Sequence, residues 1–255
     1  MDLIERPGSV VRRHPWEMSR ARFFIRLVQR LGLVDSTDGW LDVGAGDAWF
    51  AQELRGVLPS STRMACWDTH YPTTPSSQWA PEIPGVEFTA TRPQGAYGGI
   101  LMLDVIEHVE DDVGFVRDVV DGSLAPGGWV LVSVPAYQAL FSSHDRALRH
   151  FRRYAPGSIR TVLEAAGLRV AARGGLFHGL LPLRGAQALR ERYRPPTGES
   201  TGIGAWQGGA RLTKVLTMAL DTEARASLAM ATRGLPPVPG LTTWAFCRRP
   251  QGQPS

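Results

Sequence analysis

The chain has 255 residues, 43% of them hydrophobic and 20% charged, the balance of a soluble globular protein able to bury a sizeable core. Its formal charge is +4, and of 28 basic residues only Lys214 is a lysine. The arginines are scattered, which argues against nucleic acid and leaves acidic partners or genome composition as sources of the charge. No apolar run reaches the roughly 18 residues needed to cross a bilayer, and the N-terminus has no signal-peptide core, so cytoplasmic residence is expected.

In chain order, Phe24, Leu27, Val28 and Leu31 form one helical stripe, with Gly32 where a C-cap belongs. WLDVG reads as a buried strand and runs into a helix carrying Phe50, Leu54 and Leu58. RMACW, VEFTAT and GGILML read as the second, third and fourth strands. The fourth feeds DVIEHVEDDVGFVRDVV, where Val109, Val113, Val116 and Val120 predict a helix packed on a sheet. LAPGGWVLVSVP is a turn and fifth strand, PGSIRTVLEAAG a helix, LRVAARGGLF a strand, and TTWAFCRR the last strand. Between them, 179–209 breaks the rhythm, and RPPTGESTGIGAWQGG reads as a long loop of the kind that forms lids. Cys66 and Cys247 fall in buried strands as free thiols, which suits a reducing compartment. With no CxxC or close Cys/His pair, zinc is not expected.

Strands alternating with helices predict an α/β fold with a parallel-rich sheet covered on both faces. Ligands of such sheets bind beyond the carboxyl ends of the strands. LDVGAGDAWF puts Gly44 and Gly46 at that end of the first strand, where glycine lets backbone amides approach a ligand closely. Asp68 ends the second strand, the usual position of a ribose-binding acid. Asp104 ends the fourth.

LDVGAGDAWF, ACWD, LMLDVIEHVEDD and LAPGGWVLVSVP, in this order, resemble the class I S-adenosylmethionine-dependent methyltransferases. DVIEHV is most similar to the branch that includes quinone-biosynthesis and other small-molecule enzymes. The resemblance covers about residues 14–174 and the final strand. It implies a Rossmann-like seven-stranded sheet with an antiparallel last strand, helices on both faces and an inserted lid region. The domains would be an N-terminal helical cap (1–35), a cofactor-binding core (36–177), an acceptor-covering insertion with a helix (178–235), and the final strand and tail (236–255). The implied cofactor is S-adenosyl-L-methionine. Asp42, Gly44, Ala45 and Gly46 would surround its methionine part, Asp68 with Thr69 its ribose, and Asp104, Val105, Ile106 and Glu107 would border the methyl-transfer point. Two positions depart from the pattern: Ala48 stands where a third glycine is common, and Thr91 where many members carry an acid near the adenine. Thr91 and Arg92 are the candidates for adenine contacts.

The acceptor end is expected in HDRALRHFRRY, residues 144–154, just beyond the fifth strand. Its candidate catalytic groups are His144, His150 and Tyr154, with His108 beside them after the fourth strand; imidazole titrates near neutral pH. Arg149, Arg152 and Arg153 offer a fork for a carboxylate or phosphate, with Tyr137 and Trp16 as further acceptor contacts. The competing reading is that these arginines pair with Asp145, Glu17 or other carboxylates. His144, Asp145 and His150 offer three ligands, but magnesium prefers oxygen and one carboxylate is too few, so no metal residues are assigned. GLFHGLLPLRGAQALRERYR could cover the acceptor, form a dimer or touch membrane lipid. The expectation is an enzyme methylating a small-molecule or lipid-like anionic acceptor, with prenylated and phosphate-bearing molecules as the candidates. The alternatives are an RNA or protein methyltransferase and a non-catalytic cofactor-binding regulator.

Overall fold

The computed structural model describes residues 13–35, 38–72, 83–194 and 206–250. Its seven strands are β1 (Trp40–Val43), β2 (Met64–Trp67), β3 (Val86–Thr89), β4 (Tyr97–Leu103), β5 (Leu124–Pro135), β6 (Arg169–Leu176) and β7 (Thr242–Arg248). They lie in the order β3-β2-β1-β4-β5-β7-β6. The pairs from β3 to β5 are parallel, and β7 runs antiparallel between β5 and β6. The expected sheet, with its antiparallel last strand, is therefore present. The chain winds outward from β1 to β3 and then crosses back to β4. A crevice consequently opens at the carboxyl ends of β1 and β4, where the direction of winding reverses.

Among the described residues seven helices surround the sheet: α1 (Pro15–Arg30), α2 (Trp49–Arg55), α3 (Asp112–Ser123), α4 (Ser143–Ala147), α5 (Ser158–Ala165), α6 (Leu181–Tyr193) and α7 (Ala210–Thr232). On one face Phe24 and Leu27 of α1, Leu54 of α2 and Leu220 of α7 pack with Trp40, Met64 and Trp244. On the other, Val116 and Val120 of α3 and Ile159 and Leu163 of α5 pack with Leu41, Val43 and Ile100. A central strand buried on both sides reads as an unbroken apolar run, which is why WLDV and GGILML are legible. Cys66 and Cys247 are buried and free, as expected.

Two expectations change. The helix after β4 does not start at Asp104: Ile106–His108 forms a single 3-10 turn, and α3 begins at Asp112. Asp104 adopts φ +58°, which turns the chain back over the strand end, and the Asp111 carboxylate accepts the Gly114 amide at 2.9 Å to cap α3. Val109 therefore lies outside the helical stripe. The 23-residue α7 is an addition, burying Thr217, Leu220, Ala224 and Leu228 at helical spacing. Asp221 anchors it to α1 through Arg22 at 3.1 Å. Most of the long glycine- and proline-rich loop, 195–205, lies outside the described residues. No helix among the described residues is long and apolar enough to cross a membrane.

Candidate active site

A cavity of about 970 Å³ occupies the crevice. On its β1 side the chain turns through Gly44 (φ +65°) and Gly46 (φ +55°), the left-handed conformation that glycine adopts without strain. A Cβ on Gly44 would stand 2.7 Å from Val105 Cγ2, so the turn packs against the end of β4 more closely than any residue with a side chain allows. Ala48 also has a positive φ, 57°, at the N-cap of α2. It preserves the turn, at a cost of roughly 1–2 kcal/mol for a residue with a Cβ. The Gly44 and Ala45 amides donate to the Trp67 carbonyl at 2.7 and 3.3 Å. The Gly46 amide donates to Asp68 Oδ2 at 2.9 Å. Asp68 Oδ1 accepts the His70 amide at 2.9 Å, so one carboxylate fastens the glycine turn to the end of β2.

Asp104 Oδ1 accepts the Ser133 hydroxyl at 3.1 Å, and its other oxygen pairs with Arg20. Behind them Asp42 is buried within β1, and desolvation, with the nearby Asp68 charge adding to it, pushes its carboxyl up to about 7. Of the expected cofactor residues, Gly44, Gly46, Asp68, Thr69, Asp104 and Val105 line the cavity. Asp42, Ala45 and Ile106 stand outside the lining, and Ile106 is part of the second core. Thr91 and Arg92 are also elsewhere: Arg92 pairs with Asp118 at 2.6 Å.

The opposite wall is organised by Asp145, whose carboxylate is completely buried. Its Oδ2 accepts the Ser142 amide and hydroxyl, each at 2.9 Å. Its Oδ1 accepts Arg153 Nε at 2.7 Å and lies 3.0 Å from His150 Nδ1. Arg184 of α6 approaches at 3.5 Å. Burial alone would raise this carboxyl, but the bonds from His150, Arg153 and Ser142 prevail and hold it well below the usual carboxylate range. Burial pushes the His144 imidazole down, against the pull of Asp145. Glu191 of α6 accepts both the amide and the hydroxyl of Ser143 at 3.1 Å, docking that helix on α4. Residues 144–154 are thus an ordered wall and not a solvated turn.

His108, His144, His150, Arg149, Arg153 and Trp16 line the cavity. Tyr154, Arg152 and Tyr137 do not. The Tyr154 ring is 2% exposed, and its hydroxyl donates to Asp112 Oδ2 at 2.7 Å and lies 3.2 Å from the Ile106 carbonyl. Arg152 pairs with the same Asp112 at 3.0 Å, so adjacent arginines face opposite sides of the segment. Tyr137 holds a positive φ of 63° at the start of a 3-10 turn. Tyr154→Phe should therefore lower stability by about 1–2 kcal/mol, measured by urea unfolding, and leave cofactor affinity intact. A loss of cofactor affinity at unchanged stability would contradict this placement.

Several lining residues were not singled out from the sequence: Glu17 and Arg20 of α1, Trp67, Phe115, Phe177 and Arg184. Trp67 and Phe115 form an aromatic pair with centroids 6.4 Å apart. Glu17 and Arg20 continue the stripe of Phe24, Leu27 and Leu31 at spacings of three and four, and polar residues on a buried stripe were the available signal. Glu107, expected only as a border, is 0% exposed. Neither of its carboxylate oxygens has a hydrogen-bond partner among the described residues. Burial, opposed by its own backbone amide and by Arg20 and Arg153, pushes its carboxyl up to about 8.

This strand order, with a glycine turn after β1 and acids ending β2 and β4, defines a class I methyltransferase. The family model described as a methyltransferase domain matches residues 16–172, and the chain belongs to that family, the S-adenosylmethionine-dependent methyltransferases. Among solved structures, the chain is similar to the N-methyltransferase NodS from Bradyrhizobium japonicum WM9 in complex with S-adenosyl-L-homocysteine. The two share 16% identity over 93% of this chain and 89% of that one, with a TM-score of 0.52. The [4+2]-cyclase SpnF shares 14% identity over 97% and 86% of the two chains, with a TM-score of 0.54. An S-adenosylmethionine-dependent methyltransferase from Mesorhizobium loti shares 13% over 88% and 96%, with a TM-score of 0.50. At these identities the likeness is one of fold. No curated protein sequence matches the chain.

Proposed function

We propose that the protein transfers the methyl group of S-adenosylmethionine to a small-molecule or lipid-like acceptor carrying an anionic group, in the cytoplasm. The observation that carries this reading is a single cavity reaching from Gly44 and Asp68 to His144, Arg149 and His150. The residues present fit the cofactor: a glycine turn at Gly44 and Gly46 that brings backbone to the cavity wall, and a carboxylate, Asp68, fixed beside it. When bound, the cofactor supplies a methyl already activated on a sulfonium. The chain then has to align the acceptor with it and exclude water.

On this reading 36–177 is the cofactor-binding core and α6, within the 178–235 insertion, covers the acceptor. Arg184 and Gln187 of that helix line the cavity, while Leu183, Leu189 and Tyr193 are exposed on it. Arg149 lines the cavity and forms no salt bridge among the described residues, which suits it to an acceptor carboxylate or phosphate. Arg153 is held by Asp145 and orients the wall. A proton acceptor is required only if the methylated atom must lose a proton, and His144, lowered by burial, is the neutral imidazole nearest to that role.

The test is to incubate the protein with methyl-labelled S-adenosylmethionine and metabolite extract and to find the labelled product by mass. The expected result is a labelled small molecule, formed more slowly by Arg149→Ala through a raised KM. Label in RNA or protein, or none in any fraction, would overturn the reading.

A further inference from the structure

We propose that Glu107, His108 and His150 hold a divalent transition-metal ion at the acceptor end of the cavity. One carboxylate oxygen and one imidazole nitrogen from each histidine lie within 4.8 Å of one another. Ligands of one tetrahedral ion with bonds of about 2.0–2.1 Å stand about 3.4 Å apart, so binding draws these side chains together by up to about 1.4 Å, within reach of side-chain rotation. All three residues line the cavity.

A second, independent observation concerns Glu107 itself. Its side chain is wholly buried, yet both carboxylate oxygens lack a hydrogen-bond partner among the described residues. Arg20 and Arg153 offset part of its charge from a distance, but a buried carboxyl group with neither oxygen engaged is costly to keep, and a metal ion bound directly to an oxygen supplies the missing partner. Clusters of acids on a surface need no such explanation; this carboxyl group is buried in the wall of a ligand-sized cavity.

The surrounding residues orient the donors. Asp145 Oδ1 engages His150 Nδ1 at 3.0 Å, leaving Nε2 as the ring nitrogen open to an ion. A carboxylate behind a metal-binding imidazole fixes its tautomer and raises its basicity. Asp145 is in turn held by Ser142 and Arg153. The Phe151 amide donates to the Glu107 carbonyl at 2.8 Å, locking the two backbone segments that carry the ligands. The His108 and His150 rings stand nearly perpendicular, centroids 4.5 Å apart.

This trio is not His144, Asp145 and His150, because the oxygens of Asp145 are taken by Ser142, His150 and Arg153 while Glu107 is wholly buried. Two imidazoles and one carboxylate favour iron, manganese, cobalt, nickel or zinc over magnesium, which prefers oxygen. Three protein ligands leave coordination positions open toward the cavity. An acceptor with two neighbouring oxygens, such as a vicinal diol or a hydroxy acid, could chelate there. This identification of the acceptor class rests on the function proposed above; the metal site does not.

The experiment titrates the chelator-treated full-length protein with cobalt(II), following its visible absorption, and with zinc by equilibrium dialysis. S-adenosylhomocysteine binding is measured calorimetrically on the same samples. One equivalent of metal is expected, with affinity falling at least a hundredfold in His150→Ala and in Glu107→Gln. Asp145→Asn should fall ten- to hundredfold. S-adenosylhomocysteine affinity of His150→Ala should remain near that of the unaltered protein, which also verifies that the variant is folded. No metal bound, or binding unchanged in His150→Ala and Glu107→Gln, overturns the site. If metal binding fails while S-adenosylhomocysteine still binds, the methyltransferase reading survives alone.

Discussion

Replacing Asp145 with alanine should lower the unfolding free energy by about 3–5 kcal/mol, the range seen when one partner of a buried ion pair is removed. The carboxylate has no exposure, and the side chains it faces are nearly as enclosed: Arg153 at 8% and Arg184 at 12%. Without it these two cations lose the carboxylate they share in a low-dielectric wall, and Ser142 loses the acceptor of its amide and hydroxyl. Asp145→Asn should cost less, because the amide oxygen can still accept from Ser142. Urea unfolding of both variants decides the matter. A loss below about 1 kcal/mol for the alanine variant would mean that the segment behaves as an ordinary exposed ion pair.

Asp42→Asn should make the protein more stable above neutral pH, with the gain growing as pH rises. The folded carboxyl titrates near 7, against 3.8 in an unperturbed chain, because desolvation opposes its charge. Below the unfolded value both states are protonated and the group costs nothing. Between the two values the unfolded chain ionises first, so stability falls as pH rises and the full penalty is reached above about 7. The difference amounts to about 4 kcal/mol at most. Thermal unfolding should therefore show little difference between the two proteins at pH 4 and a higher Tm for Asp42→Asn at pH 8. Equal Tm values at pH 8 would contradict the burial of its charge.

How far the sequence was legible follows the physics of each element. β1 and β4 announce themselves because strands buried on both faces carry continuous apolar runs, and the glycines after β1 mark positive φ. Asp68 and Asp104 were readable because a strand end fixes where the next residue points. The turn at 106–108 was not, since DVIEHV continues a valine periodicity that Asp104 breaks only by adopting a left-handed backbone. Arg152 and Arg153 are neighbours in sequence, yet one serves Asp112 and the other Asp145. Charge alone does not distinguish them. Tyr154 has the chemistry of a catalytic group and spends it on Asp112 and a backbone carbonyl. The burial of Glu107 depends on α1 and residues 144–154 closing over it from distant parts of the chain, which no local pattern records.

The most direct measurement is calorimetric titration with S-adenosylhomocysteine of the unaltered protein and of Asp68→Ala. One equivalent should bind the unaltered protein. Affinity should fall ten- to hundredfold in the variant, corresponding to charge-assisted hydrogen bonds of about 1.5–3 kcal/mol. A flat titration of the unaltered protein, or equal affinities in the two, would contradict a methyl donor seated between Gly44, Asp68 and Asp104.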